Sequence, residues 1–377
     1  MKKALIAMSG GVDSSIAAYL MKKEGWDCIG CMMHLFSETM DDSAEEGMTA
    51  PAEEVSGKTC CSLDSAEDAR SVCRKLGISF YVFNFQEDFR TQVIDRFVCA
   101  YEQGLTPNPC LDCNRYLKFD RLYERAKILG CDVIVTGHYA RIEEKDGKYV
   151  LKKALDPKKD QSYVLYQLSQ EQLAHTRFPL GNLTKEETRA LAAELQFVNA
   201  NRPDSQDICF VPNGDYAAVI EKYSKKTAVP GHFVDLNGQV LGEHRGIIHY
   251  TVGQRKGLNL PSTEPWFVVE IRPETNEVVL GRAGDVFTDR ALVKDFHWIA
   301  GEVPDGPVHC QARTRYHQPE KSAQAYVLPD GRVELRFDEP LRAVTPGQAA
   351  VLYDGDTVLG GGIIERETAV SPSTAAE

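Results

Sequence analysis

The sequence predicts an α/β fold: a doubly wound parallel sheet over residues 1–210, a small mixed middle domain over 211–287, and a C-terminal antiparallel β-barrel over 288–370 with a tail over 371–377. Two observations predict it. The first half alternates short apolar runs with segments of helical periodicity, the pattern of a parallel sheet covered by helices on both faces. From about Val211 that periodicity fades, and short alternating runs appear between Gly, Pro, Asn and Asp clusters, as in antiparallel barrels, with a sandwich as the alternative closure.

The elements follow in order. Ala4 to Met8 reads as a first strand, and Ser14 to Lys23 as a helix with Ile16, Leu20 and Met21 on one face and Gly25 beyond its end. Asp27 to Met33 is a second strand. After an acidic stretch come a helix from Ser65 to Leu76 stopped by Gly77, a strand from Phe80 to Asn84, and a helix through Val93 to Tyr101. A helix from Phe119 to Leu129 ends at Gly130, and the strand Val133 to Thr136 runs into Gly137-His138. Arg141 to Lys153 is a hairpin turning at Asp146-Gly147, and Thr184 opens a helix to Leu195 with a capping box to Glu187. In the second half the strands are Phe267 to Ile271, Glu277 to Leu280, Ala323 to Leu328, Val333 to Phe337 and Ala349 to Tyr353, and the tail from Ser371 is read as loose.

Composition narrows the class. With 377 residues, 43% hydrophobic and 26% charged, the chain has material for two or three cores. No run approaches the length of a membrane span, and Met1-Lys2-Lys3 leads straight into a strand with no cleavage-site pattern, so we expect a cytoplasmic protein, without membrane association and monomeric. In a reducing compartment the eleven cysteines serve burial, metal binding or catalysis rather than disulfides. Cys28, Cys31, Cys73, Cys99, Cys131 and Cys310 sit among apolar or helical neighbours and are expected to be small buried hydrophobes. The net charge of -12 argues against a nucleic-acid partner, but Ser37 to Lys58 supplies about half of it, which leaves room for a basic groove elsewhere. Lys145, Lys148, Lys152, Lys153, Lys158 and Lys159 are the best candidates for one.

The sharpest motif is Ser9-Gly10-Gly11-Val12-Asp13-Ser14-Ser15, between the first strand and the first helix. Glycines there let backbone N–H groups converge on an anion, the hydroxyls can donate, and the helix N-terminus adds partial positive charge. Asp13 is odd in a loop that only holds anions, and fits one that also positions Mg²⁺ against phosphate oxygens. The loop resembles the Ser-Gly-Gly-x-Asp-Ser loop of the PP-loop enzymes, which split ATP into AMP and pyrophosphate.

Three cysteines stand apart. Thr106-Pro107-Asn108-Pro109-Cys110-Leu111-Asp112-Cys113-Asn114 puts a Cys-x-x-Cys pair on what reads as a stiff loop rather than inside a helix. Arg202 to Phe210 presents Cys209 in a similarly polar segment, and a thiolate is the reactive form. Cys60-Cys61 is a weaker metal-binding pair.

At this point the chain resembles the tRNA-specific 2-thiouridylases, the MnmA/TrmU family of the PP-loop ATP pyrophosphatases with an adenine nucleotide alpha hydrolase-like domain. The likeness rests on Ser9 to Ser15, Asn108-Pro109, Cys113-Asn114, Thr136 to Ala140, Lys159 to Tyr163, Asp204 to Phe210, Gly253 to Gly257 and Arg315-Tyr316. The resemblance implies ATP on Ala7, Met8, Ser9, Gly10, Gly11, Val12, Asp13 and Ser14, with Met33 and Gly137 lining its site. It implies a wobble uridine flipped toward Asn108, Pro109 and Cys110, and tRNA contacts from His138, Lys159, Asp160, Gln161, Arg315, Tyr316 and Gln348. ATP would adenylate the C2 oxygen, and Cys209 would carry a persulfide from a cysteine desulfurase or relay protein. Cys113 would attack that persulfide, releasing sulfur onto C2 or forming a transient disulfide. Many relatives have Asp where this chain has Cys110, so Cys110, Cys113 and Cys209 are also the ligands of an alternative iron-sulfur route. Another adenylating synthetase would share the loop but not the cysteines, and a non-catalytic metal or redox module would share the cysteines but not the loop.

Overall fold

The computed structural model describes residues 1–36, 63–204, 208–211, 214–224 and 226–366. The acidic stretch, Cys60-Cys61 and the tail lie outside the described residues.

The first unit is built on five parallel strands: β1 (Lys3–Ala7), β2 (Asp27–His34), β3 (Ser79–Asn84), β4 (Val133–Val135) and, after the hairpin β5 (Ala140–Lys145) and β6 (Lys148–Lys153), β7 (Thr176–Arg177). Their order is β3-β2-β1-β4-β7. Side chains alternate across β1, so Leu5 packs into a core with Phe89, Phe97, Leu117 and Phe119 on one face while Ala4 and Ile6 pack with Ile16, Met21 and Val72 on the other. Strand order reverses between β1 and β4, and in sheets of this kind the crevice beyond the carboxyl ends of such strands takes the ligand.

Helix α1 (Val12–Lys23) follows β1 directly and α2 (Leu63–Leu76) precedes β3. The helix expected through Val93 to Tyr101 begins earlier, at Gln86, and passes through a π turn at Arg90–Ile94. A larger difference concerns Cys110 and Cys113. They are not on a loop: one continuous helical run spans 109–128, beginning Pro109–Asp112 and passing through a π segment Cys113–Arg121. Proline at the first helical position has no N–H to lose, and the Asn108 side chain accepts from the Cys110 amide at 3.1 Å, so the proline starts the helix instead of preventing it. Cys99 also departs from expectation. It is exposed, because Phe97, Val98 and Tyr101 take the core side of its helix, whereas Cys28, Cys31, Cys73, Cys131 and Cys310 are buried as expected.

The second half is two β units. Strands β8 (Gly231–Val234), β9 (Val240–His244), β10 (Phe267–Arg272) and β11 (Glu277–Gly281) form a mixed sheet in the order β10-β11-β8-β9 over Phe233, Tyr250, Val268 and Leu280. Strands β12 (Phe287–Trp298), β13 (Val308–Arg313), β14 (Lys321–Val327), β15 (Val333–Arg342), β16 (Ala349–Asp354) and β17 (Thr357–Ile364) close into an antiparallel barrel through the β12–β17 pairing. Closure removes the free sheet edges a sandwich would keep. The hairpin β5–β6 leaves the first unit and extends the barrel sheet at β17, which joins the two units.

Candidate active site

Loop 8–11 lies at the carboxyl end of β1, tied to its neighbour by the Met8 amide donating to the Cys31 carbonyl at 2.7 Å. Gly10 has φ +74°, and a Cβ there would stand 2.4 Å from the Ser65 carbonyl oxygen, so glycine is required by both conformation and space. The serines order the loop from within: Ser14 Oγ donates to the Gly11 carbonyl at 3.1 Å and accepts from the Ser9 amide at 3.2 Å. Gly11 is the N-cap of α1 and offers no side chain to it, so the helix N-terminus is left to an incoming anion. From β4, Gly137 meets this terminus. A Cβ on it would lie 2.8 Å from the Ser14 amide nitrogen and 2.9 Å from the Asp13 carbonyl carbon. Ala7 to Ser14 and Gly137 are thus one cradle of backbone, and Met33 lies on β2 two residues beyond Cys31, the partner of Ala7. Its shape and donors suit a pyrophosphate group.

Four residues that sequence reasoning missed brace this cradle. Asn199, 2% exposed, donates from Nδ2 to the Gly10 carbonyl at 2.8 Å and to Ser15 Oγ at 2.9 Å. Arg202 donates to Ser65 Oγ at 2.7 Å and pairs with Asp68 at 2.8 Å. Tyr139 donates its hydroxyl to Asp13 at 2.9 Å, and burial, then the neighbouring Asp13, push that phenol well above its ordinary range, so it remains a donor. Lys185 Nζ lies 2.7 and 2.8 Å from the two Asp13 oxygens. One signal could have found Lys185: a lysine directly after an N-cap opposes the helix dipole, so its place there calls for another cause.

The cysteine elements converge on the same core. Cys113 and Cys209 both pack against the cluster around Phe89 and Phe97, and Phe210 anchors its segment edge-on to those rings, with centroids at 5.6 and 5.3 Å. Cys110 is exposed, and Cys113 and Cys209 are half-buried. Between Cys110 and Cys113, burial raises the Asp112 carboxyl to about 6 against the pull of Arg96, 3.4 Å away. Among the described residues no three His, Cys, Asp or Glu side chains are grouped so as to hold a metal ion.

Residues expected to contact tRNA divide by burial. His138 is 8% exposed, packed between Phe119 and Phe178, with Nδ1 2.7 Å from Thr136 Oγ1; burial and then Lys118 lower its pKa well below the ordinary histidine value, so it is a neutral imidazole. Asp160 is also interior, accepting from the Ala154 and Ser162 amides and pairing with Arg313. Lys159 pairs with Asp204 at 2.7 Å. Lys148, Lys152 and Lys153 are likewise paired with carboxylates, so much of the expected basic face is already neutralised. Gln161 accepts from the Tyr139 amide at 2.9 Å. Arg315 donates to the Val252 carbonyl and to Thr345, bridging the middle sheet and the barrel. Gln348 donates to the Thr106 carbonyl at 2.7 Å, docking the loop before Asn108 onto the barrel. Tyr316 is pushed up to about 12 by burial and then by Asp160 and Cys110, with a hydrogen bond to Gln161, which places a barrel residue beside the cysteine helix.

Known proteins match this architecture piece by piece. Residues 2–213 match the family described as tRNA methyl transferase HUP domain, 217–282 its PRC-barrel domain, and 288–364 the aminomethyltransferase beta-barrel domain. The tRNA-specific 2-thiouridylase MnmA of Clostridioides difficile is 47% identical over 368 residues, covering 97% of this chain and 98% of that protein. Those of Lachnoclostridium phytofermentans and Acetivibrio thermocellus are also 47% identical, over 365 and 368 residues, each covering 97% of this chain and 99% of theirs. Identity of that extent across all three units leaves one conclusion: the chain belongs to the tRNA-specific 2-thiouridylase family.

Proposed function

We propose that this chain is an ATP-dependent tRNA-uridine 2-sulfurtransferase acting on the wobble uridine. One observation carries the reading. Asp204, five residues before Cys209, shares Lys185 with Asp13 of the phosphate cradle.

In this reading ATP lies with its phosphates on 9–14, where the N–H groups of the α1 terminus have no side-chain cap. Asp13, which here accepts from Lys185 and Tyr139, is the residue that would hold Mg²⁺, whose charge would favour departure of pyrophosphate. The uridine leaves its stack to bring its C2 oxygen to the site beside Asn108, Pro109 and Cys110. That oxygen attacks the α-phosphorus, the bond to pyrophosphate breaks, and C2 carries AMP as a leaving group. The terminal sulfur of a Cys209 persulfide then attacks C2 and AMP departs. Cys113 as thiolate attacks Sγ of Cys209; the sulfur–sulfur bond breaks, its electron pair stays with the 2-thiouridine, and a Cys113–Cys209 disulfide is left for an external dithiol to reduce. These steps follow the persulfide route; in the iron-sulfur alternative Cys110, Cys113 and Cys209 are the residues that would hold the cluster. Starting the helix at Pro109 fixes Cys113 one turn in, on a packed element rather than a free loop.

The remaining assignments belong to the same proposal: the division at 210 and 287, tRNA contact by Lys159, Gln161, Arg315, Tyr316 and Gln348, sulfur from a cysteine desulfurase or relay protein, and a cytoplasmic monomer. No described helix is long and apolar enough to cross a membrane. The test is reconstitution with tRNA, ATP and a persulfide donor in iron-free buffer. AMP should form only when tRNA is present, and Cys113→Ser and Cys209→Ser should each abolish 2-thiouridine while leaving pyrophosphate release. Full thiolation by either variant refutes the cysteine roles.

A further inference from the structure

Lys185 stands where local preference would not put it. It is the first residue of the helix Lys185–Glu194, where a cation opposes the helix dipole, and its side chain is 8% exposed. A buried ammonium is tolerated only when paired. Here it is paired twice, with the Asp13 oxygens at 2.7 and 2.8 Å and with Asp204 Oδ1 at 2.8 Å. An ammonium has three N–H donors, and these contacts account for all three.

Both carboxylates have other partners. Asp13 also accepts from Tyr139, and Asp204 from Lys159 at 2.7 Å and Arg189 at 2.8 Å. Arg189 in turn donates to the Ala200 and Arg202 carbonyls, and Arg202 braces α2 beside the cradle. The network therefore runs from the phosphate loop through one ammonium to Asp204, five residues before Cys209.

We propose that Lys185 is a positioning residue that couples occupation of the nucleotide loop to the placement of the Cys209 segment. This rests on the reading of 9–14 as an ATP site. Phosphates arriving beside Asp13 add negative charge that competes for the same ammonium, so the hydrogen bonds of Lys185 redistribute and its hold on Asp204 changes. Coupling of this kind is reciprocal: whatever fixes Asp204 also alters the affinity for nucleotide. The consequence is an ordering device, in which the sulfur carrier is set for transfer when ATP is in place.

The test needs neither tRNA nor turnover. Full-length protein is alkylated with N-ethylmaleimide, with and without ATP and Mg²⁺, and the rate at Cys209 is followed by peptide mass spectrometry. Nucleotide affinity is measured in parallel by calorimetry with a non-hydrolysable ATP analogue. In the native protein nucleotide should change the Cys209 rate about fivefold or more, the lower end of ordinary coupling. In Lys185→Met the analogue should still bind, more weakly, and the Cys209 rate should no longer respond; Lys185→Arg should restore part of the response. Asp204→Asn is nearly isosteric, keeps the Lys185 to Asp13 pair, and should also lose the response. A merely structural ion pair would lower the melting temperature of these variants and leave the nucleotide response intact, and that result overturns the proposal. So does a native protein that binds nucleotide with Cys209 unaffected. Failure of the native protein to bind nucleotide at all would instead sink the ATP reading beneath it.

Discussion

Replacing Gly137 by alanine tests the cradle at its tightest point. The new methyl group would stand 2.8 Å from the Ser14 amide nitrogen and 2.9 Å from the Asp13 carbonyl carbon, and 3.1 Å from the Asp13 Cβ. The two nearest atoms are backbone, so no rotamer change relieves them; either the α1 terminus or the 136–138 turn must move. Overpacking of this kind costs about 1–3 kcal/mol. The strand side is fixed by β4 pairing with both β1 and β7, which directs the displacement into the loop. If the whole cost falls on nucleotide binding, affinity drops roughly 5- to 150-fold. The assay is the KM for ATP in tRNA-dependent pyrophosphate release, with a melting curve beside it. An unchanged KM refutes the reasoning, whether the melting temperature holds or falls, since a fall alone would mean the strain relaxes away from the loop.

Removing the buried Asn199 side chain by alanine should weaken ATP binding in the same assay by about 1–3 kcal/mol, because Ser15 Oγ loses this donor and the Gly10 carbonyl keeps only the longer bond from Arg202. Asn108→Ala should cost about 1 kcal/mol of stability through loss of the cap and slow thiolation more than pyrophosphate release, measured by denaturant titration and single-turnover kinetics. Cys99→Ser should leave thiolation unchanged, since Cys99 is exposed on the outer side of its helix; a loss there would mean that the wrong cysteines have been assigned. For Asp204, burial alone would raise the carboxyl, but hydrogen bonds from Lys159 and Lys185 outweigh it and hold it down from 3.8 to about 2. Its stabilisation is therefore present above about pH 4 and lost as pH falls toward 2. Urea midpoints at pH 5 and pH 3 should differ less for Asp204→Asn than for the native protein.

Much of this protein is legible in one dimension because its signals are local. Strand and helix periodicity, the glycines of the phosphate loop and the capping box at Thr184 each depend on residues a few positions apart; the parallel strands, the loop and the capping box are found where the pattern put them, while the helices read at Val93 and Phe119 begin earlier. Where a local rule had two readings the sequence misled: prolines at 107 and 109 suggested a loop, but Pro109 occupies the one helical position that tolerates it. Alternation in the last third fitted a barrel or a sandwich, and only the pairing of β12 with β17, about seventy residues apart, decided between them. Of the residues that brace the cradle, only Lys185, set against the helix dipole, left a local signal. Lys185, Asn199 and Arg202 reach it from more than 170 positions away, and hydrogen-bonding geometry between distant segments leaves no periodic trace in the chain that forms it. Sequence alone thus determined the elements and the residues of the phosphate loop, while tertiary structure decided which charges face that loop, because a carboxylate's partner is chosen by packing in space and not by position along the backbone.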